Sequence, residues 1–454
     1  MMPPTPTLRR ILIGMLLLAF GLRAAYALSQ DLDAPYTTRG GDTAWYLQNG
    51  YTLVTNDDPT GRHDISRLPV GPVYLLFIGV WQALLSKAAA IAVIRLLQAA
   101  MGSVVCFFAY RLARALANDE IAGLLAAGAL AFAPALIVES AQILTESLFL
   151  CLLMGALWLY VDFVLPRDTA QSAATRWPVI TLGLTLGLAA LTRAVLLLYP
   201  LGLAGHLLLV RGRRRGSRQV ALLLVVYACT VGSWTAYSLA RWDHFVIGAE
   251  GYASFIFVGA TGWNDPQGVD ANLAEETGSD EQASNTDTLE AAGSIIRRDP
   301  VGYVRRRVSE LADAYLQPHN TETFSGPSLK TRAHNWLRDD RSVSGLRRLL
   351  QIDGFWPKLS LYVFHFVGLL LGLLGMWHTR RAWRVHLPLS GLVLYFTLIH
   401  LVLLALPRYL FPLYPVWWIF AAVMVRHYVA QIMLRRAGGA AGPVSASRRP
   451  TGRV

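Results

Sequence analysis

The chain alternates between long apolar runs and short basic clusters, and two long polar stretches interrupt that rhythm. Each apolar run approaches the roughly 20 residues that a helix needs to cross a bilayer. The runs are continuous in Leu, Ala, Val and Ile, without the every-other-residue alternation of a membrane β-barrel. Runs at 11–28, 90–110, 121–138, 142–164, 178–194, 196–210, 219–240, 359–377, 386–406 and 409–426 predict about ten transmembrane helices. Pro72 to Ser86 is apolar but short, which predicts a helix lying in the interface or dipping into it. The pattern therefore predicts an all-α polytopic membrane protein with two outward-facing loops that carry interfacial helices. Its expected divisions are a first helix (1–29), a first outer loop (30–89), a transmembrane core (90–240), a large outer region (241–357), C-terminal helices (358–428) and a disordered tail (429–454). Arg9 and Arg10, the apolar run and Ala25, Tyr26, Ala27 also imitate a secretory signal. An uncleaved span is expected, because later spans need that helix as a partner.

Composition sharpens this picture. Of 454 residues, 54% are hydrophobic and 15% charged, against about 25% charged in a soluble domain. Recurrence of the runs excludes a soluble enzyme with a single anchor. The net charge of +12 raises the question of nucleic acid. However, Lys87, Lys330 and Lys358 are the only lysines, and the arginines cluster between apolar runs, where membrane orientation explains them. No nucleic-acid partner is expected. Cys106, Cys151 and Cys229 all lie inside apolar runs, which argues against a disulfide framework or a thiolate metal site.

Charge also sets the orientation. With a cytoplasmic N-terminus and 72–86 not crossing, Arg111, Arg114, Arg167 and Arg176 face inward. So do Arg211, Arg213, Arg214, Arg215 and Arg218, then Arg380, Arg381 and Arg384. The polar segments 30–70 and 241–356 then face outward. This predicts cytoplasmic termini, with any chemistry of the long polar segments on the opposite face.

The outer face carries the candidate chemistry. Asp42 follows Gly40 and Gly41, a pair suited to a tight turn, and is positioned to cap a helix beginning near Thr43. Trp45 and Tyr46 suit an interface, so a helix cap within an aromatic belt accounts for these residues as well as a functional site does. Glu139 and Glu146 bracket an apolar segment at the outer turn between spans. Their spacing puts them on one face if that segment is helical. Burying carboxylates there is costly, so they either pair with an arginine such as Arg95 or Arg193 or serve the reaction. Outer basic residues include Arg67, Arg95, Arg193, Arg241 and Arg408. Each can snorkel to the interface, but arginine also grips phosphate with a bidentate fork. Acids beside arginines at an outer membrane edge suggest a reaction on a phosphate-bearing lipid.

These residues also resemble a family. Gly41, Asp42, Trp45 and Tyr46, then Arg67, Pro69, Pro72 and Tyr74, resemble the first outer loop of bacterial family 39 glycosyltransferases. Val93 to Gln98, Leu144 to Phe149 and Ala190 to Arg193 fit the same pattern, as do Gly232 to Tyr237, Arg297 to Tyr303 and Arg408-Tyr409. The stretch from about Gly40 to Pro200 is similar to the RgtA/B/C/D-like group, relatives of protein O-mannosyltransferases and the lipid A aminoarabinose transferase. The resemblance implies a GT-C fold and a sugar donor on polyprenyl phosphate. It implies Asp42 as general base and Glu146 in a supporting catalytic role. Arg67, Arg193 and Arg408 are the expected phosphate ligands, and Tyr46, Arg95, Glu139 and Tyr409 the expected substrate contacts. The acceptor is then an envelope lipid, glycan or protein. Protein mannosyltransferases place Asp-Glu together in this loop, whereas Thr43 follows Asp42 here, which argues against a protein acceptor. Arg241 stands near the place of that family's Trp-x-x-Arg-Asn arginine.

No cofactor is required by this chemistry, and Mg or Mn is compatible with it. The histidines are too scattered for a structural metal site. Asp265, Asp270, Glu275, Glu276, Asp280, Glu281, Asp287 and Glu290 suit a polar loop over the site entrance, or a cation site. Arg297 to Leu316 predicts one helix, with Arg298, Arg305, Arg306 and Arg307 facing lipid phosphate or solvent. Two rivals remain. An O-antigen ligase or polymerase would use a large-loop Arg or one of His244, His319 and His334. A transporter or flippase would place its polar residues at mid-membrane in repeated halves, and the sequence has no such repeat.

Overall fold

A computed structural model describes residues 5–37, 42–57, 68, 70–165, 176–262 and 285–440. Its regular elements are helices, and no strand occurs among the described residues. Helix α1 (Pro6–Ser29) opens with Thr5 as cap and Pro6 in the first turn, where a missing N–H costs nothing. After α2 (Ala34–Thr37) come α3 (Asp42–Thr55) and α4 (Pro72–Leu84), then the 31-residue α5 (Lys87–Ala117). Asn118 turns left-handed at φ 51°, and Asp119 caps α6 (Glu120–Ala131) by accepting from the N–H groups of Ile121 and Ala122.

Arg23 shows how a charge survives inside an apolar run. It is fully buried, and its guanidinium donates to the carbonyls of Ala19, Leu130 and Ala131 at 2.9, 2.8 and 3.1 Å. Leu130 and Ala131 end α6, where carbonyls lack helical partners and the dipole is negative. A costly intramembrane charge thereby joins α1 to α6.

The runs 121–138 and 142–164 each predicted one helix, and the structure corrects both. Proline has no N–H and biases its predecessor toward extended backbone, so α6 stops and α7 (Pro134–Glu139) starts afresh. Residues 140–145 form turns, and α8 (Glu146–Leu159) begins only after them, ending in a π turn, Tyr160–Val164. Glu139 and Glu146 therefore do not share a helix. Then follow α9 (Arg176–Thr192), α10 (Tyr199–Arg211), α11 (Arg213–Trp242) and α12 (Tyr252–Thr261).

The expected helix from Arg297 to Leu316 is likewise two. Helix α13 (Asn285–Arg298) ends, and Asp299 caps α14 (Pro300–Leu316), its Oδ1 accepting from the Gly302 N–H at 2.8 Å. Two amphipathic helices follow, α15 (Leu329–Asp339) and α16 (Val343–Leu350). The chain closes with α17 (Phe355–Thr379), α18 (Trp383–Val402), α19 (Pro407–Leu410) and α20 (Tyr414–Ala440). The α20 face bearing Val416, Ile419 and Phe420 is wholly buried.

Seven stretches among the described residues are long and apolar enough to cross a membrane: Pro6–Ser29, Lys87–Ala117, Glu146–Val164, Ala194–Arg211, Gly216–Trp242, Phe355–Val402 and Pro407–Met433. The 48-residue stretch Phe355–Val402 bends at Arg380–Ala382 into α17 and α18. The expected total of about ten is not confirmed, because Glu120–Ala131 and Arg176–Thr192 are apolar but shorter.

Two close backbone approaches set α3 and α4 on this bundle. A Cβ on Gly79 of α4 would stand 2.0 Å from the Gly50 carbonyl oxygen of α3. A Cβ on Gly71 would stand 1.9 Å from the Leu191 oxygen at the end of α9. Only glycine permits both contacts. They place the Asp42 helix beside the Arg193 end of α9.

Candidate active site

Asp42 is the first residue of α3, where a negative charge faces the positive end of the helix dipole. Arg408 lies in the first turn of α19, behind Pro407. The two side chains form an ion pair, with about half of the Asp42 carboxylate left exposed.

Glu146 opens α8 and is buried. Its Oε1 accepts from Arg193 Nη1 at 2.9 Å, and its Oε2 accepts from Thr145 Oγ1 at 3.2 Å. Arg193 sits where α9 stops, in extended backbone before the short turn Ala194–Leu196. Tyr409 unites the two ion pairs. The Arg193 guanidinium carbon lies 5.3 Å from its ring centroid and that of Arg408 lies 5.1 Å away. Two positive groups thus converge on one aromatic ring, each held by a different carboxylate.

An open cavity of about 560 Å³ adjoins this cluster. Arg193, Arg408, Tyr409 and Tyr46 line it, together with apolar residues such as Leu197, Leu198, Phe245, Ile247 and Leu403. One wall is therefore cationic and the rest largely greasy, which suits an amphipathic phosphate ester. Burial, reinforced by Glu146, raises the Tyr46 phenol well above its ordinary range, so it remains a neutral hydrogen-bonding group. Its ring packs edge-on against Tyr74 at 5.4 Å.

Tyr74 begins a chain of contacts that sets the turn before Glu146. Its hydroxyl donates to Gln98 Oε1 at 3.1 Å, and Gln98 Nε2 donates to the carbonyls of Ser140 and Gln142 at 3.1 and 2.7 Å. Arg95 adds Nε to the Ala141 carbonyl at 3.0 Å, while its Nη1 donates to the Gln30 and Asp31 carbonyls at 3.0 and 3.1 Å. Arg95 is thus a clamp between the end of α1 and the 140–142 turn. Glu139 is also engaged elsewhere. Its Oε2 accepts from His319 Nε2 at 2.8 Å and Asn320 Nδ2 at 3.1 Å, which ties α7 to the segment after α14.

Asp42, Tyr46, Glu146, Arg193, Arg408 and Tyr409 come together as one cluster. Arg67 lies outside the described residues, as do Pro69, Asp265, Asp270, Glu275, Glu276, Asp280 and Glu281. The remaining large-loop arginines are partly absorbed into the fold. Arg307 is buried against Glu310, and Arg306 donates to the Ala260 carbonyl at 2.8 Å. Arg241 donates to Asn56 Oδ1 at 3.0 Å and pins the end of α3 to α11. Among the described residues no three His, Cys, Asp or Glu side chains gather as a metal site would require.

Sequence reasoning gave no role to Gln98, His400 or Glu250. Glu250 lines the cavity and pairs with His244. His400 lines it from within an apolar run, and a polar residue inside such a run was the available signal.

Residues 75–247 match the profile of a family described as dolichyl-phosphate-mannose-protein mannosyltransferase. The match agrees with the resemblance drawn above over that stretch. Asp42 and Arg408 lie outside the matched residues. No curated protein matches the chain in sequence. Similar solved structures include the oligosaccharyltransferase of Archaeoglobus fulgidus in its apo form, at 15% identity and a TM-score of 0.49, over 96% of this chain and 52% of that one. The same enzyme with zinc and sulfate gives 16% and 0.49, over 95% and 50%. ArnT from Cupriavidus metallidurans bound to undecaprenyl phosphate gives 14% and 0.42, over 97% and 82%. The chain spans about half the length of the archaeal oligosaccharyltransferase.

Proposed function

We propose that this chain is an inverting membrane glycosyltransferase. It takes a sugar from a polyprenyl-phosphate donor and passes it to an envelope acceptor on the periplasmic side of a bacterial inner membrane. The observation that carries the proposal is the convergence of Arg193 and Arg408 on Tyr409 at the wall of an apolar cavity, with Asp42 and Glu146 as their counter-ions.

In this mechanism the apolar walls take the start of the isoprenoid chain and the two guanidiniums take the phosphate. Phosphate competes with Asp42 for Arg408. Binding of the donor thereby frees the carboxylate, whose position half open to solvent lets an acceptor hydroxyl reach it. Asp42 accepts that hydroxyl's proton as the oxygen bonds to the anomeric carbon. The anomeric carbon–phosphate oxygen bond breaks, its electrons go to the phosphate, and polyprenyl phosphate leaves from the opposite face. The configuration inverts, and the arginines neutralise the leaving group. Glu146 keeps Arg193 fixed, which makes it a positioning residue. Positive charge comes from the arginines in this scheme, so no metal is required, although Mg or Mn is compatible with it. Support comes also from the family match over residues 75–247.

The test is transfer of labelled sugar by the purified protein in lipid nanodiscs, from undecaprenyl-phosphate-linked sugars to an extracted envelope fraction. Label moving into a lipid or glycan supports the proposal and identifies the acceptor. Failure of undecaprenyl phosphate to bind the protein overturns it.

A further inference from the structure

His400 is nine-tenths or more buried and belongs to the cavity wall. Its Nδ1 lies 2.9 Å from the Leu404 carbonyl. A carbonyl only accepts, so Nδ1 carries the hydrogen and Nε2 is left with a lone pair. That Nε2 has no hydrogen-bond partner and is buried. Among the other polar groups that line the cavity, Arg408 Nε also lacks a partner, but it is a donor, and several others are engaged. Tyr395 donates to the Val195 carbonyl, Thr192 donates to the Leu188 carbonyl, and Glu250 pairs with His244. A buried acceptor without a donor is unfavourable unless a ligand or water supplies one.

Position narrows what that donor is. The His400 imidazole stacks on Tyr409 with ring centroids 5.6 Å apart and planes at 11°. Tyr409 is the ring that both Arg193 and Arg408 approach. His400 is therefore one ring away from the proposed phosphate position. A polyprenyl chain has no hydrogen-bond donor, and an ionised phosphodiester has none either. In a polyprenyl-phosphate sugar, the hydroxyl groups of the sugar are the donors that remain.

Resting on the glycosyltransferase reading above, we propose that His400 Nε2 accepts a hydrogen bond from a hydroxyl of the donor sugar. His400 would then be a specificity-determining residue that separates glycosylated from bare polyprenyl phosphate. It takes no part in proton transfer, which belongs to Asp42.

The test measures binding of undecaprenyl phosphate and of undecaprenyl-phosphate mannose to the full chain in nanodiscs, in wild type, His400→Phe and His400→Gln. Phenylalanine keeps a ring on Tyr409 but has no acceptor, while glutamine restores one. His400→Phe is expected to weaken the mannosyl lipid about tenfold, the worth of one hydrogen bond to a buried site, with bare phosphate unchanged. His400→Gln should recover part of that loss. Equal weakening of both lipids, or of neither, overturns the assignment. A thermal melt of each variant separates misfolding from lost recognition. Should wild type fail to bind undecaprenyl phosphate, or bind it as well after Arg193→Ala, the cavity reading fails instead of the His400 assignment.

Discussion

Arg408 and Asp42 stand 366 positions apart in the chain and form an ion pair, with Arg408 in the wall of the cavity. Helix α3 brings the carboxylate, and the short helix α19 before the last long helix brings the guanidinium. The start of α3 favours an acid at Asp42 through the helix dipole, whereas nothing local to α19 calls for the charge of Arg408. In the proposed mechanism, their meeting makes donor binding and release of the carboxylate parts of one event.

Loss of Arg408 should therefore act on donor binding before it acts on chemistry. Arg408→Ala is expected to raise the donor KM by about tenfold or more, since charge-assisted contacts to phosphate are worth more than neutral ones. Lysine at this position should restore charge without the fork, giving an intermediate KM. Steady-state kinetics over a donor titration check both. An unchanged KM in Arg408→Ala contradicts phosphate binding there.

Glu146 and Arg193 form a buried pair, so removing one partner strands the other. Glu146→Ala should lower stability by about 3 kcal/mol and also weaken donor binding, because Arg193 loses its fixed position. Thermal unfolding in detergent and donor titration measure the two effects. Full stability with normal binding would show that the pair positions nothing.

Arg95 and Gln98 should separate from the catalytic cluster. Arg95→Ala leaves the Ala141, Gln30 and Asp31 carbonyls without their donor, costing about 1–3 kcal/mol for each that stays buried. The variant should melt earlier, yet the fraction that folds should show a near-normal donor KM. A large KM change at unchanged stability would restore Arg95 to the substrate contacts.

His319 distinguishes this account from a ligase or polymerase that uses a large-loop histidine. It is engaged with Glu139, so His319→Ala should destabilise the protein by leaving that buried carboxylate short of a partner. Transfer by the folded fraction should survive, and so should transfer by His334→Ala. Complete loss of turnover in a fully folded His319 or His334 variant favours the rival.

The helical membrane class was legible because continuous apolar runs leave a polypeptide few alternatives. Asp42, Glu146, Arg193 and Arg408 could each be singled out, since charges beside apolar runs are costly and so informative. Which charge meets which was not legible. Arg193 chooses Glu146 over Glu139 because a turn held by Arg95 and Gln98 separates the two glutamates, and pairings with residues more than 40 positions away built that turn. Pro134 and Pro300 each start a new helix where the surrounding pattern reads as one continuous helix. His400 escaped notice because a histidine within an apolar run becomes meaningful only when its second nitrogen is seen to lack a partner.

The central claim is that Asp42 removes the acceptor proton, and Asp42→Asn tests it most directly. Asparagine keeps the size and the polar contact to Arg408 but cannot take a proton. Sugar transfer from an undecaprenyl-phosphate donor, measured beside undecaprenyl-phosphate binding, should fall by about 10²–10⁴-fold with binding retained. Transfer within a few-fold of wild type would contradict Asp42 as the base.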